Sequence, residues 1–550
     1  MVEQELPKLK TRVRFPSPAP VFTHIPTTKV RESRMRLIRS AISVGGFTAL
    51  SRLGGFVREW MQAHYIGASI VSDALNYAIS FPSFFRRIFA EGAFNASFVP
   101  LFSSILAGDG VQEARRFAQT ILSLLSGVLV LIILPVVIFS DSIMPFFLPG
   151  LKNDLECLAL TSEFTRITFP FLLFISLTAF FSGMLNSVER FVAAASSPAV
   201  GNVAIILCLL LSKDFGGDPG HSLAIGVLMC GIVQFLWVFI PSQRHGVKLQ
   251  WSLPAITPKV KVFLKRMVPA ALGASVFQLN LIIDMSLASF LPKGAFSYLK
   301  YADRFSQLPL SIIGTAISTA LLPMLARQWR MGETKKAMVS QNRALEFTLF
   351  FALPATACLV FMASDLIQGF YAHGKFKNSD ILPTAQTLIA LSSGLPAYVL
   401  VKVLSTSFFS RGDTRTPVIL AIVAVIVNLI LNITLIGTLQ QVALGLSTAI
   451  SSWLNAILLA SFLRKKKLLV FDDKLKKFLP RIVLATSIAS LYLWMFNTKL
   501  FHFFLSLGIW DWASVCIAIA VFIILYVVIC YACRVFTWKR IQEHLSDDQN

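Results

Sequence analysis

Runs of about twenty apolar residues follow one another from residue 37 to residue 534, each long enough to cross a ~30 Å hydrocarbon core as a helix. With 55% hydrophobic and 14% charged residues over 550 positions and a mean hydropathy of +0.70, the chain is too apolar for a soluble globule. The expected fold is an all-α polytopic membrane protein with about fourteen transmembrane helices. The spans run near 37–64, 71–106, 114–141, 160–187, 195–212, 221–241, 261–291, 296–327, 339–365, 381–410, 416–436, 442–463, 477–497 and 509–534.

A formal charge of +22 could suggest nucleic acid, but its placement argues against that partner. Arg115-Arg116, Arg244 to Arg266, Arg327 to Arg343 and Arg464 to Lys477 fall on one side if the spans alternate, and the loops between them are poor in Lys and Arg. This is the positive-inside pattern, and it puts both termini in the cytoplasm against anionic membrane lipids. Residues 1–34 are polar and proline-spotted without an apolar signal core, and read as a disordered tail or a mis-assigned start. The seven cysteines form no framework; Cys530-x-x-Cys533 reads as helix packing.

An internal repeat gives the domain organisation. Phe169-Pro170, Phe180-Phe181-Ser182-Gly183, Pro198 and Asn202 are echoed by Leu395-Pro396, Phe408-Phe409-Ser410-Arg411-Gly412, Pro417 and Asn428. Phe98-Val99-Pro100-Leu101 is echoed by Leu321-Leu322-Pro323-Met324. Two parallel six-helix lobes around a central cavity follow, one over 35–242 and one over 243–464, with two further helices and a cytoplasmic tail in 465–550.

Charge at membrane depth costs a few kcal/mol or more and marks a wet, functional cavity. Arg52 and Arg58 lie in the first span, separated by about 9 Å of helical rise with Gly54-Gly55 as a possible bend between them. Asp73 begins the second span, in which Arg86, Arg87 and Glu91 lie deep; Arg87 and Glu91 are spaced as an i, i+4 pair. Asp284, Asp303, Arg304 and Lys402 occupy later spans. The planar donor fork of arginine suits phosphate or pyrophosphate, so a surplus of cavity arginines implies an anionic cargo.

Ser51-Arg52-Leu53-Gly54-Gly55-Phe56-Val57-Arg58-Glu59, Ser72-Asp73-Ala74, Arg86-Arg87-Ile88-Phe89-Ala90-Glu91-Gly92, Tyr301-Ala302-Asp303-Arg304 and Phe409-Ser410-Arg411-Gly412-Asp413 together closely resemble the MurJ/MviN lipid II flippases. The resemblance implies the fold of the multidrug/oligosaccharidyl-lipid/polysaccharide exporter superfamily, and a flippase of the bacterial inner membrane rather than an enzyme. Its cargo would be lipid II, the undecaprenyl-pyrophosphate-linked precursor of peptidoglycan, moved to the outer leaflet by alternating access for cell wall synthesis. By position, Arg52, Arg58, Arg304, Arg86 and Asp73 would serve the substrate, with Glu59, Arg87, Glu91, Asp303 and Lys402 as supporting or ion-pair residues. Glu59 stands where the family often has aspartate and keeps the charge. The polyprenyl tail would follow a groove lined by the last two helices.

No cofactor or metal is implied, and the coupling ion, if one acts, is not legible. Other cell wall synthesis proteins are the partners such a cargo suggests. The competing readings are a drug or cation antiporter, or a polysaccharide-lipid exporter, of the same superfamily. An antiporter cavity should be dominated by carboxylates. An enzyme on polyprenyl pyrophosphate needs an acid-base group or nucleophile at depth. A G-x-x-x-x-G-K-[ST] phosphate loop for ATP is absent.

Overall fold

The structure is a computed structural model and describes residues 27–89, 93–212, 217–244, 255–506 and 510–535. Thr27–Tyr65 (α1), Ile70–Phe89 (α2), Ala93–Gly108 (α3), Gly110–Ile138 (α4) and the short Ser140–Phe147 (α5) run in order. A 3-10 turn then leads to Leu155–Thr168 (α6) and Phe171–Ser187 (α7). Phe191–Leu211 (α8), Pro219–Arg244 (α9), Pro258–Ala288 (α10) and Ala295–Arg330 (α11) follow. The second half holds Thr334–Phe361 (α12), Ala363–Tyr371 (α13), Asn378–Ser393 (α14), Leu395–Phe409 (α15), Arg415–Leu439 (α16), Gln441–Lys465 (α17), Asp473–Ser506 (α18) and Asp511–Ala532 (α19).

Where it is described, each expected span falls on one or two helices. Among the described residues nine helical stretches are long and apolar enough to cross a membrane by themselves: α4, α6 with α7, α8, α9, α12, α14 with α15, α16, α17 and α19. Composition among the described residues thus supports nine spans and leaves the count of fourteen unconfirmed. Helices α1, α2 and α11 fall outside that set, and they carry the charged residues that meet around the cavity described below.

Helix α1 starts at Thr27, so residues 27–34 are helical rather than part of a disordered tail; residues 1–26 lie outside the described residues. The sequence from Thr27 to Val44 holds neither proline nor glycine, so no backbone breaker interrupts propagation of the helix. The repeated prolines act alike in both halves. Pro170 stands at the break between α6 and α7, and Pro396 in the first turn of α15 just after Gly394. A proline after a turn cannot continue the preceding hydrogen-bond ladder but suits a new first turn.

Two hydrophobic cores organise the bundle. The first is built from α2 to α10 with Met61 of α1, Ile66, Phe296 and Leu444, and the second from Tyr301 onward with Ala63 of α1. Helix α10 packs on α2 and α3, and its Val260, Phe263, Met285 and Ala288 belong to the first core. The cores thus meet within the first turns of α11. Helix α1 lies between them, along α8 on one side, while Phe56 stacks edge-on to Phe305 and Phe370 on the other.

Asp413, in the loop between α15 and α16, accepts hydrogen bonds from the Thr416 backbone N–H (3.0 Å) and hydroxyl (2.8 Å) and pairs with Lys466 (3.0 Å) at the end of α17. Partial burial pulls its carboxyl upward, but the Thr416 and Lys466 donors outweigh that pull and hold it below the usual carboxylate range. A lowered folded-state value contributes stability above the unfolded value, and the contribution disappears as pH falls through the lowered one. Thermal unfolding of Asp413→Asn should therefore lack a part of the stability loss that the unsubstituted protein shows below about pH 4.

Candidate functional site

Three helices supply the charged wall of an internal cavity of about 310 Å³: α1 through Arg58 and Glu59, α2 through Arg86 and Arg87, and α11 through Lys300, Asp303 and Arg304. Glu59 is the joint. Its carboxylate pairs with Arg58 at 3.2 Å and with Arg304 Nε at 2.9 Å, so residues 245 positions apart meet at one group. All three side chains are less than one-third exposed, so the Coulomb attraction is screened less than on an open surface. One carboxylate facing two guanidiniums leaves a net positive centre whose remaining donors can face an anion.

A tight approach puts Arg304 there. A Cβ on Gly55 would lie 2.6 Å from a terminal nitrogen of Arg304, so only glycine on α1 leaves room for this guanidinium. Gly54 faces Asn202 of α8, whose amide donates to the Ser51 carbonyl at 2.9 Å. The paired glycines thus give α1 close neighbours on both sides, whereas the sequence suggested a bend. The guanidinium is the movable end of a long side chain, so Gly55→Ala should fold but push Arg304 off Glu59. Transport falling several-fold, with thermal stability nearly unchanged, is the expected result.

The other sequence candidates separate. Arg52 is half-buried on α1 but outside the cavity lining, about 9 Å of helical rise from Arg58. Arg87 donates to Gln278 of α10 at 2.8 Å, and its expected partner Glu91 lies outside the described residues. Asp303 lines the cavity and accepts from Gln307 at 3.2 Å. Lys402 of α15 packs against Gly314 of α11 and is not part of the lining. Asp284 of α10 accepts from Asn432 of α16 at 3.2 Å, and Asn432 in turn donates to Asn428.

Asp73 also lies outside the cavity. It is 5% exposed and accepts from Gly294 N–H (2.5 Å), Ser297 N–H (2.8 Å) and the Ser297 hydroxyl (2.6 Å). A carboxylate on α2 therefore satisfies the free N–H groups at the start of α11. The same end of the bundle carries further ties: the Tyr301 hydroxyl donates to the Gly67 carbonyl at 3.0 Å, and Lys375 N–H donates to the His64 carbonyl at 2.9 Å. Gly67 has φ +68°, and a Cβ there would stand 2.4 Å from the Lys375 carbonyl oxygen. Position placed Asp73 among the substrate residues; geometry makes it a joint between α2 and α11.

Lys300, Gln62, Asn76 and Gln307 also line the cavity, and the sequence reading passed over them. Helical spacing was the available signal. Gln62 is four residues after Arg58, and Lys300 and Gln307 are four before and three after Arg304, all same-face positions. Among the described residues no group of three or more His, Cys, Asp or Glu is placed to hold a metal ion. An apolar groove of about 590 Å³ opens between α12 and α18, lined by Leu353, Phe361, Val483, Leu491 and Trp494, so the first of the last two helices forms one of its walls.

A helical bundle with two cores and a basic internal cavity at their junction is the arrangement of a membrane transporter. A multidrug resistance MATE family transporter of the MOP superfamily, in its inward-facing conformation, has the same fold with a TM-score of 0.64 at 16% identity over 78% of this chain and 98% of its own. Residues 62–511 match the family described as lipid II flippase MurJ. The chain belongs to that family. The probable lipid II flippase MurJ of Rhizobium meliloti is 39% identical over 468 residues, 83% of this chain and 86% of the relative. That of Rickettsia prowazekii is 34% identical, covering 83% of this chain and 90% of the relative. A solved lipid II flippase MurJ in an inward closed conformation superposes with a TM-score of 0.73 at 29% identity, over 89% of this chain and 98% of that one.

Proposed function

We propose that this protein flips lipid II from the inner to the outer leaflet of the bacterial inner membrane, gripping the pyrophosphate between Arg58 and Arg304. The observation that carries the reading is the Arg58–Glu59–Arg304 cluster, which holds two guanidiniums in the cavity with their positive charge only half neutralised. Arg86 adds a further cation to the same wall. The lining carries five cations against two carboxylates, which favours an anionic cargo over the cationic drugs of an antiporter.

Positive-inside topology puts the start of α1 and both chain termini in the cytoplasm. The end where Gly67, Asp73, Gly294 and Lys375 meet then faces outward, and its ties close the outer mouth. Cargo enters from the cytoplasmic side, the ties part, and the headgroup leaves outward toward the proteins that build the wall. The polyprenyl tail stays in lipid throughout, and the α12–α18 groove offers it an apolar surface. The two-core division supports rocking of one half against the other, with α1 and α11 at the joint.

The test is translocation of labelled lipid II in reconstituted vesicles by the unsubstituted protein, Arg58→Ala and Arg304→Ala. Both variants should be severely slowed while remaining folded. Normal transport in both would remove the pyrophosphate grip. Movement of a cationic drug with no movement of lipid II would replace the flippase reading with the antiporter one.

A further inference from the structure

The cavity wall is layered, and hydrogen bonds fix the register of its layers. Helix α1 runs toward the tied end of the bundle, while α2 and α11 run away from it. Glu59 is level with Arg304, to which it is paired, and Asn76 is level with Ser297, to whose hydroxyl it donates at 3.3 Å. Gln62 joins that second level by donating to Asn76 at 3.3 Å. Lys300 lies between the two levels, one helical turn or about 6 Å from Arg304 toward the tied end.

The layers differ in chemistry. Around Glu59 the donors are guanidiniums, whose planar forks suit the paired oxygens of a pyrophosphate. Nearer the tied end the lining offers the side-chain amides of Gln62 and Asn76 and a single ammonium. Arg58 and Arg304 share Glu59 and Arg87 is held by Gln278, but Lys300 makes no ion pair among the described residues. Its ammonium sits 4.8 Å from the Phe296 ring centroid, a contact that steadies a cation without neutralising it.

We infer that Lys300 is a specificity residue that recognises a peptide carboxylate of the cargo headgroup, in a subsite beyond the pyrophosphate grip whose neutral hydrogen bonds come from Gln62 and Asn76. The inference rests on the flippase reading. With the pyrophosphate held at Arg58 and Arg304, the part of the headgroup remote from the lipid tail reaches the level of Lys300. A point charge flanked by amides matches a carboxylate next to amide and hydroxyl groups, whereas a second phosphate would call for another fork.

The experiment compares two cargoes in reconstituted vesicles: lipid II with its peptide carboxylates intact, and the same molecule with those carboxylates amidated. The unsubstituted protein should move the native cargo roughly tenfold better at limiting concentration, the size of one charge-assisted hydrogen bond. Lys300→Met should lose that preference by moving the native cargo no better than the amidated one, and an unchanged thermal unfolding midpoint shows that the variant folds. Lys300→Arg should keep the preference, and Arg304→Ala should slow both cargoes alike. Equal slowing of both cargoes by Lys300→Met, or an unchanged preference, would overturn the subsite and leave the flippase reading standing. If the unsubstituted protein moves neither cargo, the flippase reading and the subsite fall together.

Discussion

Replacing Arg304 with alanine should slow lipid II translocation roughly 10- to 100-fold, since a hydrogen bond to a charged group is worth about 1.5–3 kcal/mol and each 1.4 kcal/mol is a factor of ten. The variant removes one of the two guanidiniums facing the proposed pyrophosphate and leaves Glu59 paired only with Arg58. Arg304→Lys keeps the charge but not the planar fork, and should fall between the two. A double-mutant cycle isolates the joint: Arg304→Ala combined with Glu59→Gln should cost less than the sum of the single changes, because Glu59 then no longer carries a charge deprived of its partner. Strict additivity would mean that Glu59 does not position Arg304.

Asp73→Ala should abolish most transport by a different route. It strands three donors at the start of α11, and a buried donor without a partner costs about 1–3 kcal/mol. Losses of that size shift a two-state equilibrium by about 5- to 150-fold, here away from the state in which the Gly67–Gly294–Lys375 end is tied. A single cysteine at position 68, in a background with the seven native cysteines replaced, should label faster from outside in Asp73→Ala than in the parent. Arg304→Ala should leave that labelling rate unchanged. Retained cargo binding in Asp73→Ala with lost transport would mark Asp73 as a joint of the gate; lost binding with unchanged labelling would return it to the substrate contacts.

The charged residues show how far local pattern reaches. Arg58, Arg86 and Arg304 could be picked out because charge within an apolar span is costly wherever that span packs, and all three line the cavity. Asp73 and Lys402 met the same criterion yet lie outside the lining, since a buried charge is also tolerated when its partners are backbone donors or a close-packed helix. Lys300 escaped notice because it stands near the start of its span, where a lysine usually reaches back to water. Its place in the cavity depends on α2 packing against the first turns of α11.

Run length and loop charge are local properties, so the sequence alone determined that this chain is a helical membrane protein, and its motifs carried the resemblance to lipid II flippases. Tertiary structure decided which charges meet. The pairing of Glu59 with Arg304, the capping of α11 by Asp73 and the fit of Arg304 against Gly55 join residues more than two hundred positions apart. Periodicity specifies which face a side chain occupies on its own helix, but only packing of one helix against another specifies what that face meets.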